Sequence, residues 1–201
     1  MRTLFIATGN TNKTREIQEL LGGDYEVYDR SARPDLPDVA ETGATFSANA
    51  RLKAVEISRL VPWPVLSDDS GLEVDALAGA PGVYSARYAG EAASSAENNK
   101  KLMLKMQGQE ERSARFRCVM VLAEAGEVVA EFDGTCEGNI VAEPRGGEGF
   151  GYDPLFVPLG NEETFAQLSS QEKGKISHRG KAMSQVIAYL QERYPPQDVN
   201  V

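Results

Sequence analysis

Apolar residues in this chain fall into short unbroken runs and helix-spaced stripes, the pattern of an α/β protein. Thr3-Leu4-Phe5-Ile6-Ala7 is a run rich in strand formers and predicts a buried strand. It breaks at Thr8-Gly9-Asn10-Thr11-Asn12. From about Lys13, the spacing of Ile17, Leu20 and Leu21 predicts a helix that stops at Gly22-Gly23. Tyr25 to Tyr28 reads as a second strand, and Arg30 to Glu41 as a loop marked by Pro34 and Pro37. Thr45 is a fitting N-cap for a helix to about Leu60. Its apolar stripe is Phe46, Ala50, Ala54, Ile57 and Val61, with Asn49, Lys53 and Glu56 on the opposite face. Val65-Leu66 predicts a strand whose tip carries Asp68-Asp69 into a tight turn, after which Leu72 to Leu77 packs locally. Ala78 to Gly90 reads as a connecting loop. Ser95 to Met106 fits a helix, and Ala114–Ala123 and Val128–Val141 fit a hairpin turning near Ala125-Gly126 within a mixed sheet. A glycine-rich loop precedes the strand Leu155-Phe156-Val157, and Ser177 caps a last helix with Ala182, Met183, Val186, Ile187 and Leu190 inward.

The 201 residues suit one domain, with room for two lobes. A net charge of −9 argues against a coat for DNA or RNA, but a local cluster of cations still suits a small anion. No apolar stretch reaches the roughly 18–20 residues that a membrane span needs. The segment up to Ala7 is too short for a signal-peptide core, so the cytoplasm is the expected compartment. Cys118 and Cys136 fall out of register across the hairpin, and both read as reduced. With one histidine, a zinc site built on several histidines is excluded.

Several positions carry candidate chemistry. Asp68 and Asp69 at a strand tip suit a hard cation such as Mg²⁺, and one of them suits a general base; the alternative is a plain turn. Glu41, at the mouth of the second helix, is either a third ligand or a helix-start acid. The strand–loop–helix at Thr8 to Lys13 has the geometry that wraps amides around a phosphate, although by itself it also describes a generic βα turn. Lys53 is within reach of the same phosphates, or is solvated. Phe150 either stacks on a flat ring or anchors its loop. His178 and Arg179 put cationic groups at a helix start, where the dipole prefers anions, with Lys173 just upstream.

Five blocks, in order, then resemble the signatures of one family: Thr8-Gly9-Asn10-Thr11-Asn12-Lys13, Ser67-Asp68-Asp69-Ser70-Gly71-Leu72, Pro81-Gly82-Val83-Tyr84-Ser85-Ala86-Arg87, Phe150-Gly151-Tyr152-Asp153-Pro154 and Ser177-His178-Arg179-Gly180. The family is that of the inosine/xanthosine triphosphate pyrophosphatases. The resemblance implies a single α/β domain: an elongated, two-lobed fold around a long mixed β-sheet with flanking helices and a nucleotide in the central cleft. It implies hydrolysis of dITP, ITP and XTP to the monophosphate and pyrophosphate with Mg²⁺, usually by a homodimer. Asp69 would be the proton acceptor and a metal ligand, with Asp68 and Glu41 supporting the metal. Thr8, Gly9, Asn10, Thr11, Asn12 and Lys13 would surround the phosphates, with Lys53 and Ser70 nearby. Phe150, Gly151, Tyr152, Asp153, Lys173, His178 and Arg179 would read the base. A pyrimidine-directed relative and a non-catalytic nucleotide-binding module are the alternatives.

Overall fold

The computed structural model describes residues 2–195. In chain order its elements are β1 (Arg2–Ile6), α1 (Thr11–Leu21), β2 (Tyr25–Asp29), α2 (Phe46–Ser58), β3 (Val65–Val74), α3 (Ser95–Lys105), β4 (Ser113–Glu124), β5 (Glu127–Ile140), β6 (Phe156–Pro158), α4 (Ser170–Ile176) and α5 (His178–Arg193). The strands form one mixed sheet in the order β2-β1-β3-β4-β5-β6. β1 runs parallel to both β2 and β3, and the long β3–β4–β5 meander is antiparallel. The expected mixed α/β architecture is present.

The N-terminal unit follows from local signals. Asn10 caps α1 by accepting from the amides of Asn12 and Lys13, and Gly22 ends it at φ 70°. Thr45 caps α2 by accepting from Ala48 N–H. The hairpin turns at Ala125-Gly126, and Cys118 lies opposite Gly134 while Cys136 lies opposite Phe116, so both thiols are free.

Strand β3 departs from expectation. It does not end at the two aspartates; it continues through them for a total of ten residues, to Val74. The turn-like letters Ser-Asp-Asp-Ser-Gly suggested a break, but pairing with β4 overrides that local preference: every residue from Val65 to Val74 has a partner on β4. Glycine at position 71 is required by packing, since a Cβ there would lie 2.4 Å from Ser85 Oγ and 2.5 Å from Gly82 O. The segment beyond, read as a plain connection, makes a 3₁₀ turn over Gly82–Arg87 that packs on β3. A further helix, α4, was absent from the periodicity because its seven residues hold too few apolar positions.

The apolar core is divided along the length of these strands. Leu4, Ile6, Leu66, Met120 and Leu122 pack with α1 and α5 at one end. Leu72, Val74, Phe116, Ile140 and Phe156 pack with α3 at the other. On the α2 face, Phe46, Ala50 and Ala54 meet Val119, Val121 and Ala123. The polar segment Ser67–Ser70 falls between the two end clusters. β1 pairs with β3 only at Phe5↔Val65 and Ile6↔Leu66, so the β3 edge beyond Leu66 has no strand beside it. The chain leaves the sheet there, where β1 has β2 on one side and β3 on the other. Such switch points open a crevice in α/β sheets.

Candidate active site

A cleft of about 560 Å³ opens at that edge. Its floor is β3. One wall holds Lys13 and the Thr8–Asn10 turn, another holds Glu41 and Lys53, and the far end holds Phe150, Lys173, His178 and Arg179. Thr11 and Asn12 stand back in the first turn of α1, outside the lining. Asp68 lies beneath the floor and is fully buried.

Strand geometry decides what the two aspartates do. Successive strand side chains point to opposite faces. Asp68 points toward α1 and α5, where its Oδ2 lies 3.0 Å from Lys13 Nζ and 3.1 Å from Arg179 Nη2. Asp69 points toward α2 and accepts from Asn49 Nδ2 at 3.0 Å. Burial opposes ionisation of Asp68, but Lys13, Arg179 and Lys53 hold its carboxyl well below the usual range. Asp69 is pushed up by burial and by nearby Glu41, against the pull of Lys53 and Lys13.

Of the expected cluster Glu41, Asp68 and Asp69, Asp68 stands on the opposite face of β3 from Asp69. Among the described residues, no three His, Cys, Asp or Glu side chains form a metal-holding group. Asp68 pairs with Lys13 and Arg179 and Glu41 pairs with Lys53, and of the three acids Glu41 and Asp69 line the cleft. Magnesium typically takes one or two carboxylates and completes its shell with water and substrate phosphates. Two acids fit such a substrate-borne ion; burial, and to a lesser degree Glu41, raises the pKa of Asp69 in its absence.

Of its two readings, Lys53 takes the place in the cleft and not in open water. Asn49 and Lys53 are one turn apart on a buried face of α2, whereas Glu56 is exposed. Lys53 Nζ donates to Glu41 Oε1 at 2.5 Å and to the Asp68 carbonyl at 2.8 Å. Burial lowers the ammonium's pKa, but Asp68, Asp69 and Glu41 more than offset this and raise it. Sequence periodicity leaves both readings of Lys53 open, because it cannot distinguish a face in water from one in a polar cleft.

At the far end, Lys173 Nζ lies 2.6 Å from Asp153 and 2.8 Å from Glu16. Arg179 spans Glu16 (2.6 Å), Asp68 and Ser70 Oγ (2.8 Å). Glu16 was missed from sequence. Its signal is its spacing, one turn beyond Lys13 on α1. Burial opposes its ionisation, but Arg179 and Lys173 win and lower its pKa. Phe150 is half-buried, with Lys173 Nζ 5.0 Å from its ring centre. His178 stacks on Phe116 at 4.7 Å and 10°. Burial, then Arg179 and Lys173, drive its pKa well below the normal value, so the ring is neutral. His178 Nδ1 and Arg179 Nε are buried with no hydrogen-bond partner among the described residues.

Tyr152 and Asp153 line the cleft and also make contacts of their own. Tyr152 donates its hydroxyl to Ser85 O at 2.9 Å, and Asp153 Oδ2 accepts from Phe150 N–H at 2.8 Å while pairing with Lys173. Asp153 shapes the glycine loop and holds the lysine, and Tyr152 ties the loop to the 3₁₀ turn. Gly151 lines the cleft as expected, and its carbonyl accepts from Asn99. Arg87, read as part of a connecting loop, also lines the cleft and lies 3.8 Å from Glu41.

A switch-point crevice with lysines and acids at one end and an aromatic, donor-bearing corner at the other is the layout of a nucleotide-handling α/β protein. The Ham1 family model matches residues 4–189, and the chain belongs to that family. Relatives named dITP/XTP pyrophosphatase include one from Geobacillus kaustophilus, 48% identical over 195 residues and covering 96% of each chain. Another, from Desulfotalea psychrophila, is 45% identical over 199 residues, covering 94% of this chain and 89% of its own. The structure of a HAM1 protein from Coxiella burnetii superposes with a TM-score of 0.86 at 40% identity, covering 96% of this chain and all of the other.

Proposed function

We propose that this protein hydrolyses dITP, ITP and XTP to the monophosphate and pyrophosphate, with Mg²⁺, as a homodimer in the cytoplasm, and so keeps these nucleotides out of DNA and RNA. The names of its relatives support the substrate class. The observation that carries the reading is one cleft that holds Lys13, Lys53, Glu41 and Asp69 toward one end and Phe150, Lys173, His178 and Arg179 toward the other, a span suited to a nucleotide.

In this reading Lys13 and Lys53 neutralise the triphosphate, and the Thr8–Asn10 turn borders it. Glu41 and Asp69 would hold Mg²⁺, which when bound offsets charge on the phosphate oxygens. Asp69 accepts the proton of the attacking water; Asn49 and the Ser70 amide orient its carboxylate. Phe150 offers its ring to the purine. Hypoxanthine and xanthine carry a carbonyl at position 6, an acceptor for Arg179, where adenine carries an amino donor. Sites built on such bonds reach discrimination of roughly 10⁴-fold. Pyrophosphate release from a panel of nucleotides, with and without Mg²⁺, tests the proposal. Fast release from ITP, dITP and XTP is expected. Equal rates on ATP, or orthophosphate as the first product, would defeat it.

A further inference from the structure

The two ends of the cleft share one atom. Asp68 Oδ2 contacts Lys13 Nζ at 3.0 Å, Arg179 Nη2 at 3.1 Å and Ser70 Oγ at 3.2 Å. Asp68 has no exposed surface and its Oδ1 has no partner, so solvent cannot take over if a cation departs. Lys53 does not relieve the carboxylate by contact, because its ammonium bonds Glu41 and the Asp68 carbonyl. The Lys53 charge acts on Asp68 from a distance and is shared with Asp69 and Glu41, while Glu16 pairs with the other Nη of Arg179. Contact neutralisation of Asp68 therefore rests on Lys13 and Arg179. Lys13 retains some solvent access, while Arg179 is locked in place by Glu16 and Ser70.

We propose that Arg179 is also a positioning residue for the triphosphate end: by holding Asp68, it frees Lys13 to turn toward phosphate. Without Arg179, the buried carboxylate keeps Lys13 for itself. Recognition at the base end and capture at the phosphate end are then one electrostatic unit joined at Asp68. This inference rests on the proposed function, in which Lys13 meets phosphate.

Inorganic tripolyphosphate, which has no base, separates the two roles of Arg179. Its binding is measured by calorimetry with Mg²⁺ for the wild type, Arg179→Gln, Asp68→Asn and the double variant. Arg179→Gln is expected to weaken tripolyphosphate about tenfold or more, a usual size for coupling between sites. In the Asp68→Asn background the same change is expected to cost less than about twofold, the non-additivity of groups sharing a partner. Unchanged binding by Arg179→Gln overturns the proposal. So does an equal loss in both backgrounds, which is the mark of a general loss of positive charge. If Arg179→Gln does not fold, Arg179→Lys serves: it keeps a charge for Asp68 but not the guanidinium fork. Near-normal tripolyphosphate binding with lost ITP-over-ATP preference then supports the proposal, and weakened tripolyphosphate binding overturns it. A wild type that fails to bind tripolyphosphate counts against the proposed function itself.

Discussion

Asp68 and Asp69 are neighbours in the chain and lie on opposite faces of β3: the first meets Lys13 of α1 and Arg179 of α5, the second meets Asn49 of α2. Two identical side chains thus have different environments. One is held firmly ionised by cations, and the other is kept basic by burial.

Asp69→Asn is expected to lower kcat by about 10²–10⁴-fold, the usual contribution of a general base, while nucleotide still binds. Steady-state rates on ITP and a binding isotherm check this. A variant with near-full turnover would remove Asp69 from the chemistry.

Phe150→Ala tests the ring at the far end. Base–aromatic stacking is worth about 1–3 kcal/mol by alanine substitution. The expected result is a weaker apparent affinity for ITP, with tripolyphosphate binding unchanged. An ITP affinity equal to that of the wild type would leave Phe150 as a loop anchor only.

Gly134→Ala tests how tightly α5 is seated. A Cβ at Gly134 would lie 2.1 Å from His178 O and 2.6 Å from Ala182 N, so helix or strand must shift. Overpacking of this kind costs about 1–3 kcal/mol, readable as a lower urea midpoint. Since the clash falls on the first turn of α5, base selectivity is expected to suffer along with stability.

His178 gives the fold a pH dependence with a definite sign. Its folded pKa lies well below 6.5, so just below that pH the unfolded chain binds a proton that the folded chain refuses. Stability therefore falls as pH drops through 6.5, by up to about 1.4 kcal/mol per pH unit for one proton. His178→Asn is expected to flatten this part of the curve, measured by chemical denaturation between pH 7 and 5. As the sole histidine in the chain, it leaves no second imidazole to confuse the comparison. An unchanged slope would show that the ring is not desolvated.

The strands, the caps at Thr45 and Ser177 and the hairpin were legible because each rests on local periodicity or turn chemistry. The residues of the cleft were legible as letters, and the structure brings Lys13, Lys53, Asp69, Phe150, Lys173, His178 and Arg179 to one cavity. Their partnerships were not legible. Glu16 lies 163 positions from Arg179 along the chain, and no local rule pairs them. The division of labour between Asp68 and Asp69 was hidden by reading a turn where long-range pairing makes a strand. Once β3 is known to be continuous, simple alternation assigns the two faces.

The five residues of β1 act as a ruler. Pairing with β3 stops at Ile6↔Leu66, and the room for a ligand starts where that pairing stops. Lengthening β1 by a dipeptide would slide backbone along the bare rim of β3 and plug the opening, even with every side chain of the cleft intact. The capacity of the enzyme for its substrate is set by how early one strand gives out.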